Sequence, residues 1–213
     1  MTGYIKKLTN KPMKRLSLYI FLLLFTLQAP SQADDIRDFQ IEGMSLGDNL
    51  LDYFNKEEIN KPRKYYYKDN KYIGILIYRD PSFKVYDSVS FVYKPIEKYK
   101  IYEITGTLFF RYNVKDCYKK QDEIVSELSE EFKNIASKRK YTRNYTIVDG
   151  KWKPDKSGKT KTTTVQFTFS NGTIRVYCSD KSEKATKENN WWDALKVEIR
   201  GVEFIDFMKI AYK

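Results

Sequence analysis

Two cysteines, a run of cations interleaved with aromatic residues, and a complete lack of histidine bound what chemistry this chain can do. Cys117 and Cys178 are its two thiols. In an exported chain a pair of cysteines suggests one disulfide, and both fall on faces that the surrounding pattern buries; the alternative is two buried free thiols. They are not spaced as Cys-x-x-Cys, so a redox-exchange role is not indicated. With no His in the sequence, the Ser-His-Asp and Cys-His nucleophile systems, the His-Glu-x-x-His zinc site and most catalytic zinc spheres are closed. Gly158-Lys159-Thr160 looks like the tail of a phosphate-binding loop, but Lys153 occupies the place of its first glycine and a strand follows instead of a helix. Paired carboxylates of the glycosidase kind stay open, because their separation is a property of the fold. The expectation is a non-enzyme with no cofactor and no metal.

The basic stretch holds Lys138, Arg139, Lys140, Arg143, Lys151, Lys153, Lys156, Lys159 and Lys161 against only Asp149 and Asp155, with Tyr141, Tyr145 and Trp152 among them. That mixture suits an anionic polymer or lipid headgroup, and equally an ordinary solvated loop. Eighteen tyrosines, many between Tyr65 and Tyr102, offer a stacking platform for sugars or peptides, or simply half-buried strands. Trp191-Trp192 is a further exposed-aromatic candidate or a plug at the end of the core.

The first residues read as an export signal. Lys14 and Arg15 precede an apolar run from Leu16 to Leu27, and Ser31-Gln32-Ala33 gives a small-x-small cleavage pattern before Asp34. Gln28 and Pro30 end the run well short of the roughly 20 apolar residues a spanning helix needs. An uncleaved anchor is the alternative, and Met13-Lys14-Arg15 reads as an equally complete start. Of the formal charge of +11, five come from Lys6, Lys7, Lys11, Lys14 and Arg15, so residues 34–213 carry +6. A modestly basic, exported chain makes nucleic acid an improbable target and leaves an envelope protein or an anionic polymer or lipid surface as partner.

Positioning falls to one long helix. From Asp116 to Lys138, Cys117, Ile124, Val125, Leu128, Phe132, Ile135 and Ala136 make an apolar stripe that Gln121 closes. Before it come a short strand at Phe39–Met44, a helix opened by Ser45 with Leu46, Leu50, Leu51 and Phe54 on one face, and a four-stranded meander over 64–112. After it, Thr162–Ser170 and Thr173–Ser179 flank Asn171-Gly172, the signal of a type I′ hairpin. That turn sets Phe169 opposite Ile174, Phe167 opposite Val176 and Val165 opposite Cys178, with Gln166, Thr168, Arg175 and Tyr177 on the other face. Leu195–Arg200 reads as a last strand and Phe204–Tyr212 as a closing helix.

The fold expected is α+β: antiparallel meander sheet packed against a central amphipathic helix. Residues 1–33 are the signal peptide and 34–213 one domain. Two helix-then-meander halves, 34–115 and 116–213, and a single curved sheet fit equally well.

The run from Phe39 through Gly43-Met44-Ser45 to Phe54 resembles the opening of a group of uncharacterised exported proteins of small-genome marine alphaproteobacteria. Its Gly-Met-Ser start is also similar to that of small outer-membrane assembly lipoproteins, although no Cys stands near the cleavage point to take a lipid. Neither resemblance brings an activity. The chain is expected to be periplasmic or secreted and to bind a partner protein or an anionic envelope component without catalysis. The alternative is a small-molecule carrier with its pocket between helix and sheet.

Overall fold

Alternating sequence dominates the molecule. The computed structural model describes residues 35–111, 113–134, 136–148, 151–155, 159–183, 186–187 and 192–212, with backbone alone for 146–148 and 151–153. The expected signal peptide therefore lies outside the described residues. Ten strands follow one another: β1 Tyr65–Tyr66, β2 Ile73–Tyr78, β3 Ser88–Lys94, β4 Lys100–Phe109, β5 Ser137–Arg143, β6 Tyr145–Val148, β7 Lys151–Pro154, β8 Lys161–Phe169, β9 Gly172–Asp180 and β10 Ala194–Gly201. The α-helices that accompany them include α1 Lys56–Asn60, α2 Val114–Glu131 and α3 Val202–Ala211.

Eight strands form one antiparallel sheet in the order β1-β2-β3-β4-β10-β9-β8-β5, and β6 with β7 makes a separate hairpin. The fold is thus α+β, dominated by its sheet, with one long helix. The last strands of the two sequence-consecutive sets, β4 and β10, meet at the centre, Ile199 opposite Ile104 and Val197 opposite Gly106.

One face of the sheet is apolar. Val165, Phe167, Ile174, Val176, Leu195 and Val197 are buried there beneath Cys117, Val125, Leu128 and Phe132 of the α2 segment. Each such side chain contributes roughly 1.5–3 kcal/mol through area removed from water. Gln121, buried in that layer, donates its Nε2 to the carbonyls of Thr163 (2.8 Å) and Val176 (2.9 Å), tying helix to hairpin. The segment before β1 covers the other end of this face, where the Phe54 and Phe91 rings stand 5.7 Å apart.

Three expectations are corrected. First, α2 begins at Val114, with Asn113 accepting from Asp116 N–H, and stops at Glu131 rather than Lys138. Phe132 turns into the core against Phe167 and Phe169, and the chain reverses so that 137–143 pairs with β8. Second, no regular helix opens at Ser45: Gly47, at φ +92°, interrupts it, and the helical turns start from Asn49 and Asn55 instead. Within Phe39–Met44 only an Ile41 to Met44 bridge forms, around Glu42 and Gly43 at φ 52° and 79°, the positive pair a type I′ turn requires.

Third, the β8–β9 turn is Ser170-Asn171, neither at positive φ, so Phe169 faces Gly172, Phe167 faces Ile174, Val165 faces Val176 and Thr163 faces Cys178. The slip is two residues, which leaves every side chain on its expected face. Gly172 serves another purpose than the turn. A Cβ there would come within 2.3 Å of the Arg200 carbonyl, so the glycine lets β9 approach β10.

Candidate functional site

The second face of the sheet is only partly covered. At its β1 side α3 closes it, setting Phe204 edge-on to Tyr72 at 4.9 Å, with Tyr102 also edge-on to Tyr72 at 5.3 Å. The rest is an open trough of about 820 Å³, within the range of ordinary ligand sites.

Register explains its lining. Tyr141 of β5 faces Thr164 of β8, Thr164 faces Tyr177 of β9, and Tyr177 faces Lys196 of β10. The row continues from Lys196 through Thr107 and Ser88, which are buried and are not among the trough's lining residues, to Tyr78 of β2, crossing seven strands. The parallel row runs from Arg143 through Thr162 and Ser179 to Ala194 and Phe109. Small residues thus make the floor, and aromatics stand at both ends. At one end Tyr78 stacks on Phe109 (6.2 Å, 14° between planes) and Trp192 meets Phe109 edge-on at 5.5 Å. At the other, the Arg143 guanidinium lies 4.9 Å from the Tyr141 ring centroid, a cation–π contact.

The trough is basic. Arg143, Arg175, Lys181 and Lys196 line it, and none of its lining residues among those described is Asp or Glu. Arg175 is already matched, donating Nε (2.6 Å) and Nη2 (2.5 Å) to the buried Glu198. Glu198 is shared with Arg200, which also pairs with Glu103. Lys196 differs: half-buried at the middle of the row, its ammonium has no ion pair or hydrogen bond among the described residues. Burial pulls its pKa below the ordinary lysine value, against the more distant charges of Glu198 and Glu103. Lys181 is drawn down to about 8, first by burial and then by the positive charge of Lys196. Burial, with Glu198 adding to it, pushes the Tyr177 hydroxyl up, so it stays a neutral hydrogen-bonding group.

Comparison with family models and with curated proteins yields no match. Among solved structures the chain is similar to the solution structure of cyanobacterial PsbP (CyanoP) from Synechocystis, 8% identical, covering 69% of this chain and 84% of that one at a TM-score of 0.33. At that score the likeness carries no argument.

The expected site residues disperse. Cys117 and Cys178 come together as a disulfide, Cα atoms 6.0 Å apart, beneath α2. Strand alternation splits the basic stretch between the two faces: Arg139 and Arg143 share the Tyr141 side, while Lys138 points to the α2 side, donating to Ser129 Oγ at 2.6 Å. Lys140, two residues on from Lys138, follows the same side. Lys159 and Lys161 are exposed, and Lys161 pairs in register with Asp180. Lys156 and the side chains of Lys151 and Lys153 lie outside the described residues. Of the six whose side chains are described, only Arg143 lines the trough. Arg175, Lys181 and Lys196 were missed, whereas Trp192, named as an exposed-aromatic candidate, does line the trough; the one local signal for Lys196 is the alternation that turns it outward between Leu195 and Val197.

Among the described residues, no three His, Cys, Asp or Glu side chains gather as a metal would need, and no helix is long and apolar enough to cross a membrane.

Proposed function

We propose that this chain is an exported, periplasmic or secreted protein that binds an anionic component of the cell envelope, without catalysis, on the open face of its sheet. The observation that carries the reading is Lys196. A half-buried ammonium without a counter-ion is held at a cost that an arriving anion removes, and among the described residues no carboxylate lines the trough with it. The disulfide supports an oxidising compartment. So does the leader pattern of residues 1–33, and kinship with the exported alphaproteobacterial group belongs to the same reading.

The small-molecule carrier imagined with a pocket under the helix has less support. That layer is taken up by Cys117, Gln121, Val125, Leu128 and Phe132, and the trough lies on the opposite face.

The test compares the mature chain with Lys196→Met. Sedimentation with phosphatidylglycerol vesicles and calorimetry with polygalacturonate, both at low salt, offer the anion as a surface and as a chain. At least one is bound, and the variant binds it about tenfold more weakly, a loss of about 1.4 kcal/mol. If neither probe is retained, or the variant retains both as well as the parent, the reading is wrong.

A further inference from the structure

The shape of the trough narrows the class of anion. We propose that it is a carbohydrate groove, built to hold a segment of a linear acidic polysaccharide across the strands, with sugar rings on the two aromatic ends and carboxylates on Lys196 and Arg143. This rests on the reading of the open face as an anion site and goes beyond it in naming the ligand.

Length is the first argument. From Tyr78 on β2 to Tyr141 on β5 there are six strand spacings, or roughly 29 Å at the usual separation of hydrogen-bonded strands. That is several sugar rings, far more than one small anion needs.

The distribution of side chains is the second. Tyr78 is 59% exposed although it stacks on Phe109, so its outer face is open to a ring. Tyr145, at 38% exposure, flanks the opposite end. Between them the hydroxyls of Thr162, Thr164 and Ser179 line the floor, a set of donors and acceptors matched to sugar hydroxyls. Aromatic faces, hydroxyls and isolated cations in alternation fit a chain that alternates apolar ring faces with hydroxyls and carboxylates.

Accessibility is the third. Lys196 is at the floor of the trough rather than on a convex rim, where a flat bilayer would meet it last. A chain one ring wide reaches it. Aromatic and basic grooves also suit single-stranded nucleic acid, but the disulfide places the folded chain where nucleic acid is scarce.

The experiment is calorimetry of the oxidised mature chain with galacturonic acid, its trimer and its hexamer. A neutral hexasaccharide, a thymidine oligonucleotide and phosphatidylglycerol vesicles complete the panel. Affinity should rise at least about tenfold from trimer to hexamer, with no uptake of the neutral sugar, and fall at least about tenfold in both Tyr78→Ala and Lys196→Met. Tyr78 is exposed, so its replacement should leave the fold intact, as circular dichroism would verify.

Equal affinity for monomer and hexamer, unaffected by Tyr78→Ala, overturns the groove while leaving an anion site at Lys196. Binding of vesicles alone does the same. Binding of the oligonucleotide alone, or of none of these probes, overturns both readings.

Discussion

Cys117, in the first turn of α2, and Cys178, near the end of β9, are joined across the apolar layer with their Cα atoms 6.0 Å apart and a sequence separation of 61. The bond fixes the start of the helix over the hairpin whose opposite face forms the trough. Both sulfurs are fully buried, so alanine rather than serine is the appropriate replacement. On the chain-entropy account, Cys117→Ala with Cys178→Ala should lower stability by about 4 kcal/mol, read as a lower denaturant midpoint with a steeper slope, because the uncross-linked chain expands further on unfolding. Thiol titration of the exported protein, denatured but not reduced, should find no free thiol. Two reactive thiols per chain would show that the bond does not form in the cell.

Glu198 holds two arginines at once, facing Arg175 directly across β9 and reaching Arg200 two residues along its own strand. Glu198→Gln leaves two partly buried guanidinium groups with Glu103 as their remaining acid, and should cost about 3–5 kcal/mol. Glu103→Gln should cost less. Burial, and then the charge of Glu198, push the Glu103 pKa upward, and among the described residues Glu103 holds one arginine, Arg200, where Glu198 holds two. Equal losses for the two variants in urea unfolding would rule out this ordering.

Gly172→Ala tests close approach rather than turn chemistry. The added methyl meets the Arg200 carbonyl at 2.3 Å and the Ile36 side chain at 3.0 Å, so β9 and β10 must move apart at that end. A loss of about 1–3 kcal/mol is expected, as for other overpacked sites. Were Gly172 needed only for a left-handed turn, Gly172→Asn would be tolerated; here it should be at least as harmful as alanine. A midpoint for the asparagine variant near that of the parent would contradict the packing account.

Alternation made both faces of the β8–β9 hairpin readable, with Phe167, Val176 and Cys178 inward and Arg175 and Tyr177 outward. The register was not readable, because Asn171-Gly172 carries a turn signature while a contact with β10 claims the glycine. β5 was hidden for a different reason: Ser137–Arg143 is polar at nearly every position, and its extended form comes from pairing with β8 along an otherwise open edge. The trough was least legible. Its lining comes from strands far apart in sequence, and the unpaired state of Lys196 appears only once β4 and β9 stand on either side of it.

Alkaline titration should move the ligand-free chain and its complex in opposite directions. Lys181, at about pKa 8 in the folded chain, returns to about 10.4 when unfolded. Between those values the unfolded chain binds more protons, so stability without ligand rises with pH. Among the described residues the charges that act on Lys181 include Lys196 on β10 and Asp193 just before it, whose carboxylate also accepts the Lys181 backbone N–H at 2.8 Å, and Glu183 and Lys187 lie beside it. Tyr177, held above the ordinary tyrosine value in the folded chain, opposes the climb only as pH nears the unfolded value of about 10, where the unfolded chain ionises first. A bound polyanion draws on the ammonium forms of Lys181 and Lys196, so affinity should fall as they lose their protons. From about pH 7 to about pH 9.5, hexagalacturonate should therefore raise the denaturant midpoint by less and less while the midpoint of the free chain climbs. Lys181→Met should flatten the climb of the free chain and weaken the loss of affinity, leaving the part due to Lys196. If the parent's affinity is unchanged across that window, the two lysines do not hold the anion.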